Sequence, residues 1–375
     1  MTRQSKTLLL ALAVFAAYVF VAVILVFALH LHGTKVWEVC ASLALLGLIS
    51  AAVLLYYFRD DLRKPVAGSP AGSIDATLAA ARAHLVTAQR LNRPSFGALP
   101  VLLVLGPQGS TKTTTVVRSG LDPELLAGDV FRGETVTPTA GVNLWFAQGT
   151  VVVEAGGPLV DDAAGWLRLV RSLRPRSLRS ALTGRAQSPR LALVCFGCDE
   201  FYKPGSGEAV PAAARLLRSR LGEASAQFGV RLPTYVVFTR LDAVPYFDAY
   251  TRNLSADEAR EPLGAAVYPD AGSAGTYADR VTPVLDQAFG GLFASLADRR
   301  LHALAREHAP EWKPGAYEFP REFNKVRALA VDILREIGRP SELDESPVLR
   351  GFYFTGVQPV FVTDTATPEF APTAA

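Results

Sequence analysis

VLLVLGPQGSTKTTTV, Val101–Val116, decides the fold. Its apolar first half has the length and composition of a buried strand, and it runs straight into a glycine-containing turn followed by Lys112 and Thr113. That is the layout of a phosphate-cradling loop, in which successive backbone N–H groups and the start of the next helix face an anion. Gly106, Gly109 and Ser110 form the turn, Lys112 would reach the outer phosphates, and the Thr113 hydroxyl would face magnesium. Thr111 stands where such loops carry a second glycine. A β-branched residue held in glycine-like dihedrals there costs on the order of 1–3 kcal/mol.

Working outward, Thr150–Val153 reads as another strand. The sequence after it, Glu154-Ala155-Gly156-Gly157, replaces the expected Asp-x-x-Gly with a carboxylate one methylene longer. Magnesium geometry is exacting, so this change weighs on turnover. Pro158 and Leu159 follow, with no glutamine or histidine to position water, and no catalytic residue is assigned. Thr135, Thr137 and Thr139 are all candidates for an upstream metal-facing threonine. Thr239-Arg240-Leu241-Asp242 ends the strand Pro233–Phe238, at the edge where ligands of α/β sheets bind. Asp242 there could accept two hydrogen bonds from guanine, while Arg240 keeps the charge of the usual lysine but not its shape. The site set is therefore Gly106, Gly109, Ser110, Thr111, Lys112, Thr113, Thr239, Arg240 and Asp242 for nucleotide, with Thr113 and Glu154 for metal. The cofactor is GTP or ATP with magnesium, or none.

The remaining strands follow the same logic. Val142–Phe146 pairs with Thr150–Glu154 as a hairpin, and Leu191–Phe196 is a continuous apolar run. Helices are expected at Ile74–Leu91, Lys112–Ser119, Trp166–Leu173 and Ala212–Ala224, with Leu254–Gly275 irregular and a helical pattern over Val281–Ile337. Val348–Phe354 reads as a short strand. The expected fold is α/β, a P-loop GTPase-like domain with a mostly parallel sheet and helices on both faces.

The first sixty residues carry two long apolar runs, Leu8–Leu29 and Val39–Phe58, separated by His30–Glu38. Each is long enough for a transmembrane helix, and no small-residue cleavage pattern follows Leu29. Arg3 and Lys6 before the pair, and Arg59, Arg63 and Lys64 after it, place both ends in the cytoplasm. The expected organisation is a transmembrane helical hairpin (1–59), a linker and amphipathic helix (60–98), the GTPase-like domain (99–280), a helical extension with a short terminal strand (281–362) and a disordered tail (363–375).

Composition narrows the function classes. With 38 Lys and Arg against 35 Asp and Glu, no sustained nucleic-acid surface is present, and the basic run Arg171–Ser180 reads as a solvated helix end. Three cysteines suit a reducing compartment. Cys195 and Cys198 make a CxxC without a matching second pair, so both read as buried free thiols.

The order of these features resembles the amino-terminal part of the TssM (IcmF-like) inner-membrane proteins of bacterial type VI secretion. The matching stretches are GPQGSTKT (106–113), GVNLWFAQGTVVVEAGG (141–157), LPTYVVFTRLD (232–242), FPREF (319–323) and LRGFYFTG (349–356). The last two have no role in generic nucleotide binding. The resemblance implies a two-pass inner-membrane scaffold, part of a complex or oligomer, that contacts a TssL-like membrane subunit and cytoplasmic baseplate proteins. Thr111, Glu154 and Arg240 depart from the family's residues, which implies a degenerate NTPase with weak or no hydrolysis. The alternative is a membrane-tethered NTPase that slowly hydrolyses GTP or ATP with magnesium.

Overall fold

The computed structural model describes residues 18, 20–21, 34–57, 70–89, 96–128, 131–132, 135–136, 139, 141–174, 188–268, 276–340 and 346–357. The chain divides into two compact units, Met1–Gly72 and Ser73–Ala375.

In the first unit, helix α1 spans Thr34–Tyr57 and leaves Trp37, Leu45, Leu46, Leu48 and Ile49 exposed. The expected transmembrane hairpin is not found: among the described residues no helix is long and apolar enough to cross a membrane. The helix at the second expected span starts at Thr34 rather than Val39, so Lys35 and Glu38 enter its first two turns. Leu8–Leu29 lies outside the described residues apart from Tyr18, Phe20 and Val21. The readings of a two-pass inner-membrane protein with both termini cytoplasmic, and of a membrane-anchored scaffold, are corrected accordingly.

The second unit is built on an eight-stranded sheet in the order β2-β5-β6-β1-β7-β8-β10-β9. Its strands are β1 (Val101–Leu105), β2 (Glu124–Ala127), β5 (Val142–Ala147), β6 (Thr150–Ala155), β7 (Arg190–Gly197), β8 (Pro233–Thr239), β9 (Leu263–Ala266) and β10 (Val348–Phe354). β3 (Phe131–Arg132) and β4 (Thr135–Val136) pair separately. The core run β6-β1-β7-β8-β10 is parallel, whereas β2–β5, β5–β6 and β10–β9 are antiparallel. The sheet is thus mixed, which corrects the expectation of a mostly parallel one. The local reason lies at Gln148 and Gly149. Both have positive φ (46° and 79°), so the two-residue connection is a tight hairpin that can only join antiparallel strands.

Helices α2 (Pro70–Gln89), α3 (Lys112–Val117), α4 (Gly157–Asp161), α5 (Ala163–Ser172), α6 (Ser206–Phe228), α7 (Phe247–Thr251), α8 (Tyr277–Arg306), α9 (Lys313–Lys325) and α10 (Arg327–Ile337) complete the unit. α2 starts inside the expected linker, with proline at its first position as helix geometry allows. It buries Ile74, Leu78, Ala81 and Leu85 at helical spacing. Alternation along β1 divides the packing. Val101, Leu103 and Leu105 join the large core with Trp166, Leu221, Phe289 and Phe352, while Val104 joins a small cluster of Val116, Trp145, Val152 and Cys195 beside α3. The large core includes a ring cluster in which Phe289 stacks on Phe323 and Phe352 and meets Phe354 edge-on, at centroid separations of 5.5–5.6 Å. FPREF and LRGFYFTG therefore contribute to one core, and β10 completes the parallel run beside β8.

Candidate nucleotide-loop site

The loop Gly106–Thr111 joins the end of β1 to α3, at the carboxyl edge of the parallel strands. Two glycines are required there for different reasons. A Cβ on Gly106 would lie 2.1 Å from the Cys195 carbonyl oxygen of β7, and Gly109 has φ +82° in open space. Thr111 sits at φ 51°, ψ 30°, the left-handed conformation that favours the missing glycine. Its carbonyl accepts from the Thr115 amide and the Thr115 hydroxyl, both at 2.9 Å.

Lys112 is buried at 6% exposure and turns back over the loop. Its Nζ donates to the carbonyls of Gly106 (2.9 Å) and Pro107 (2.7 Å), with Ser110 Oγ at 3.4 Å. Burial lowers its pKa, opposed by the nearby Cys195 and Glu154.

Glu154, wholly buried at the end of β6, is the hub of the site. Its Oε1 accepts from the hydroxyls of Thr113 and Thr139 (2.8 Å from Thr139). Its Oε2 accepts from Asn143 Nδ2 at 3.2 Å and Trp145 Nε1 at 3.3 Å. Asn143 also donates to Thr139 at 2.8 Å. An ionised carboxylate offers about four lone-pair sites, and four donors of this chain address them. Of the three candidate threonines, Thr139 faces Glu154, while Thr137 lies outside the described residues. The partners Asn143 and Trp145 were not among the predicted site residues. Their signal was present: they alternate along β5, and Asn143 lies in register with Glu154 across the hairpin.

The residues expected on the base side reach the same edge. Thr239 Oγ1 donates to the Ser110 carbonyl at 3.0 Å, which joins the TRLD turn to the Gly106–Thr111 loop. Asp242 is exposed, and its Oδ1 accepts from the Val357 amide at 3.0 Å. The Leu241 amide donates to Thr355 O at 2.9 Å, so the end of LRGFYFTG forms a second wall of this corner. Arg240 leaves the group. It takes a left-handed φ of 56°, and its Nη1 pairs with Asp199 Oδ2 at 2.8 Å.

Thr113, Thr139 and Glu154 bring together two hydroxyls and a carboxylate, the oxygen chemistry magnesium takes, but the carboxylate is already addressed by four donors of this chain. A bound ion there would neutralise phosphate charge. Among the described residues no group of three or more His, Cys, Asp or Glu forms a metal cluster. Cys195 and Cys198 are buried free thiols, and burial pushes Cys195 up to about 12 and Cys198 upward as well.

Comparison with known proteins adds a family context. Residues 161–371 match the family described as IcmF-related N-terminal domain. The type VI secretion system component TssM1 of Pseudomonas aeruginosa is 30% identical over 284 residues, covering 73% of this chain and 24% of that protein. The chain thus spans about a quarter of the length of that relative.

Proposed function

Because this chain belongs to the IcmF-related family, we propose that its α/β unit is a docking module of a type VI secretion-type assembly, built on a GTPase-like site that no longer turns over nucleotide efficiently. The observation that carries this reading is the saturation of Glu154 by Thr113, Thr139, Asn143 and Trp145. Efficient phosphoryl transfer needs a positioned water and charge clamps besides a cradle. Here Pro158 follows Gly157 directly, and Arg240 is spent on Asp199. The expected partners are a TssL-like subunit and baseplate proteins, in keeping with the similarity to TssM1. The test is capture of purified TssL-like and baseplate components by the full chain, with and without magnesium and GTP. Equal capture by wild type and Lys112→Ala supports docking. Capture that depends on GTP and is lost in Lys112→Ala defeats it.

A second reading, weak binding of GTP or ATP with magnesium, has its own support. Lys112 and Thr113 stand in the loop, Thr139 and Glu154 lie beside them, and Thr239 links the exposed Asp242 turn to Ser110. Asp242 favours guanine over adenine. Calorimetry with GTP and ATP, repeated on Asp242→Asn, tests this: equal heats for both nucleotides, or none, remove the guanine-selective site.

A further inference from the structure

A switching nucleotide site closes when a ligand bridges loops that otherwise stand apart, the terminal phosphate and its metal pulling in a threonine on one side and a glycine on the other. In this chain both sides are already drawn in by the protein itself.

On the first side, the bridge is a side chain. Glu154 projects from the end of β6 and accepts from Thr113 on α3 and from Thr139 in the segment leading into β5. Its other oxygen is pinned by Asn143 and Trp145 of β5, so the carboxylate cannot swing away without giving up both bonds and stranding the buried Trp145 N–H. An aspartate there would be one methylene shorter and could not address all four partners. Thr139 is itself buried at 9% exposure and accepts from Asn143.

The second side closes independently. The Gly156 amide donates to the Gly141 carbonyl at 2.8 Å, tying the segment after β6 to the one before β5. Gly157 then packs on the phosphate loop, so closely that a Cβ there would fall 2.8 Å from both the amide nitrogen and Cβ of Gln108.

We infer that Glu154 acts as an internal lock, holding Thr139 against Thr113 in the closed arrangement beside the separately closed Gly156–Gly157 turn, so that the surface they form is fixed without nucleotide. This rests on the GTPase-like reading of the loop and supplies what the docking reading needs, a constant face instead of a switched one.

The test is hydrogen exchange on the full chain, followed over residues 139–147 and 154–160, with magnesium alone, magnesium and GTP, or magnesium and a non-hydrolysable GTP analogue. The lock predicts changes below about twofold in those segments under every ligand condition. It predicts exchange faster by roughly tenfold or more over residues 139–147 in Glu154→Ala, with β8 and α6 unchanged as the control for the fold. Should Glu154→Ala fail to fold, Thr139→Val removes one arm of the lock and is read over the same segments. Strong ligand-induced protection in wild type would overturn the inference, as would wild-type exchange in Glu154→Ala, or in Thr139→Val where that variant stands in. Lost partner capture with unchanged exchange would sink the docking reading and leave the lock standing.

Discussion

Replacing Glu154 gives a graded series whose order follows from its four hydrogen bonds. In Glu154→Ala, the Thr113 and Thr139 hydroxyls can turn to each other, since their oxygens already lie 3.3 Å apart. The Asn143 amide keeps its bond to Thr139, but the Trp145 indole N–H has no such recourse. A stranded buried donor costs about 1–3 kcal/mol, and the vacated side chain leaves a cavity, so the total is about 4 kcal/mol. Glu154→Gln is far milder. Its carbonyl can keep Asn143 and Trp145, while its NH2 donates to two hydroxyls that rotate to accept, at a cost of about 1 kcal/mol. Glu154→Asp falls between, at about 2–3 kcal/mol, because the shorter side chain cannot span both sets of donors. Against a typical total stability of about 5–15 kcal/mol, these steps separate clearly in urea midpoints at constant slope. A glutamine variant as unstable as the alanine variant would refute the reasoning, as would an alanine variant that loses less than about 1 kcal/mol.

Four further outcomes are expected. Gly106→Ala drives a methyl group into the Cys195 carbonyl and should lower stability by about 3 kcal/mol, so an unchanged melting temperature would show that β1 and β7 can separate freely. Thr111→Gly exchanges about 1 kcal/mol of left-handed strain for a similar chain-entropy cost, leaving the unfolding midpoint in place, whereas Thr114→Gly within α3 should lose about 0.5 kcal/mol. Cys195 and Cys198 should resist iodoacetamide at pH 8 in the native protein and react on unfolding; mass spectrometry showing alkylation at the unfolded rate would contradict their burial. Glu258 is held at about 2, below its ordinary 4.5, chiefly by its hydrogen bond with Arg306 and then by Ser255. A depressed carboxyl contributes fully above its unfolded value and loses that contribution as pH falls through the folded one, so the Glu258–Arg306 link should persist at pH 3. A carboxyl-carbon NMR titration with a midpoint near 4.5 would rule this out.

The parts of this protein visible in its sequence are those written in short-range pattern. Continuous apolar runs mark β1, β7 and β8, because strands buried on both faces need no alternation. The tight turn between β1 and α3 follows from Gly106 and Gly109 set between an apolar run and Lys112, and the TRLD turn from polar residues at the end of the apolar run of β8. The four-residue β9 escaped this reading because Leu-Gly-Ala-Ala carries little strand propensity. Gly264 is nonetheless needed there, since a Cβ would fall 2.3 Å from Phe352 O. Long apolar runs likewise suggested a membrane hairpin that the described helices do not form.

What only the tertiary structure decided are the partnerships across distance. Thr139 was one of three equivalent threonines until the β5–β6 hairpin carried it to Glu154, fifteen residues away in sequence. Thr113, forty-one residues from Glu154, meets it because β1 and β6 lie side by side. Arg240 had the charge expected of a base-side residue, yet Asp199, brought close by the pairing of β7 and β8, claims it. A sequence fixes which donors and acceptors exist and the local geometry that presents them. Their pairing is settled when strand order brings distant elements together and burial forces each polar group to find a partner.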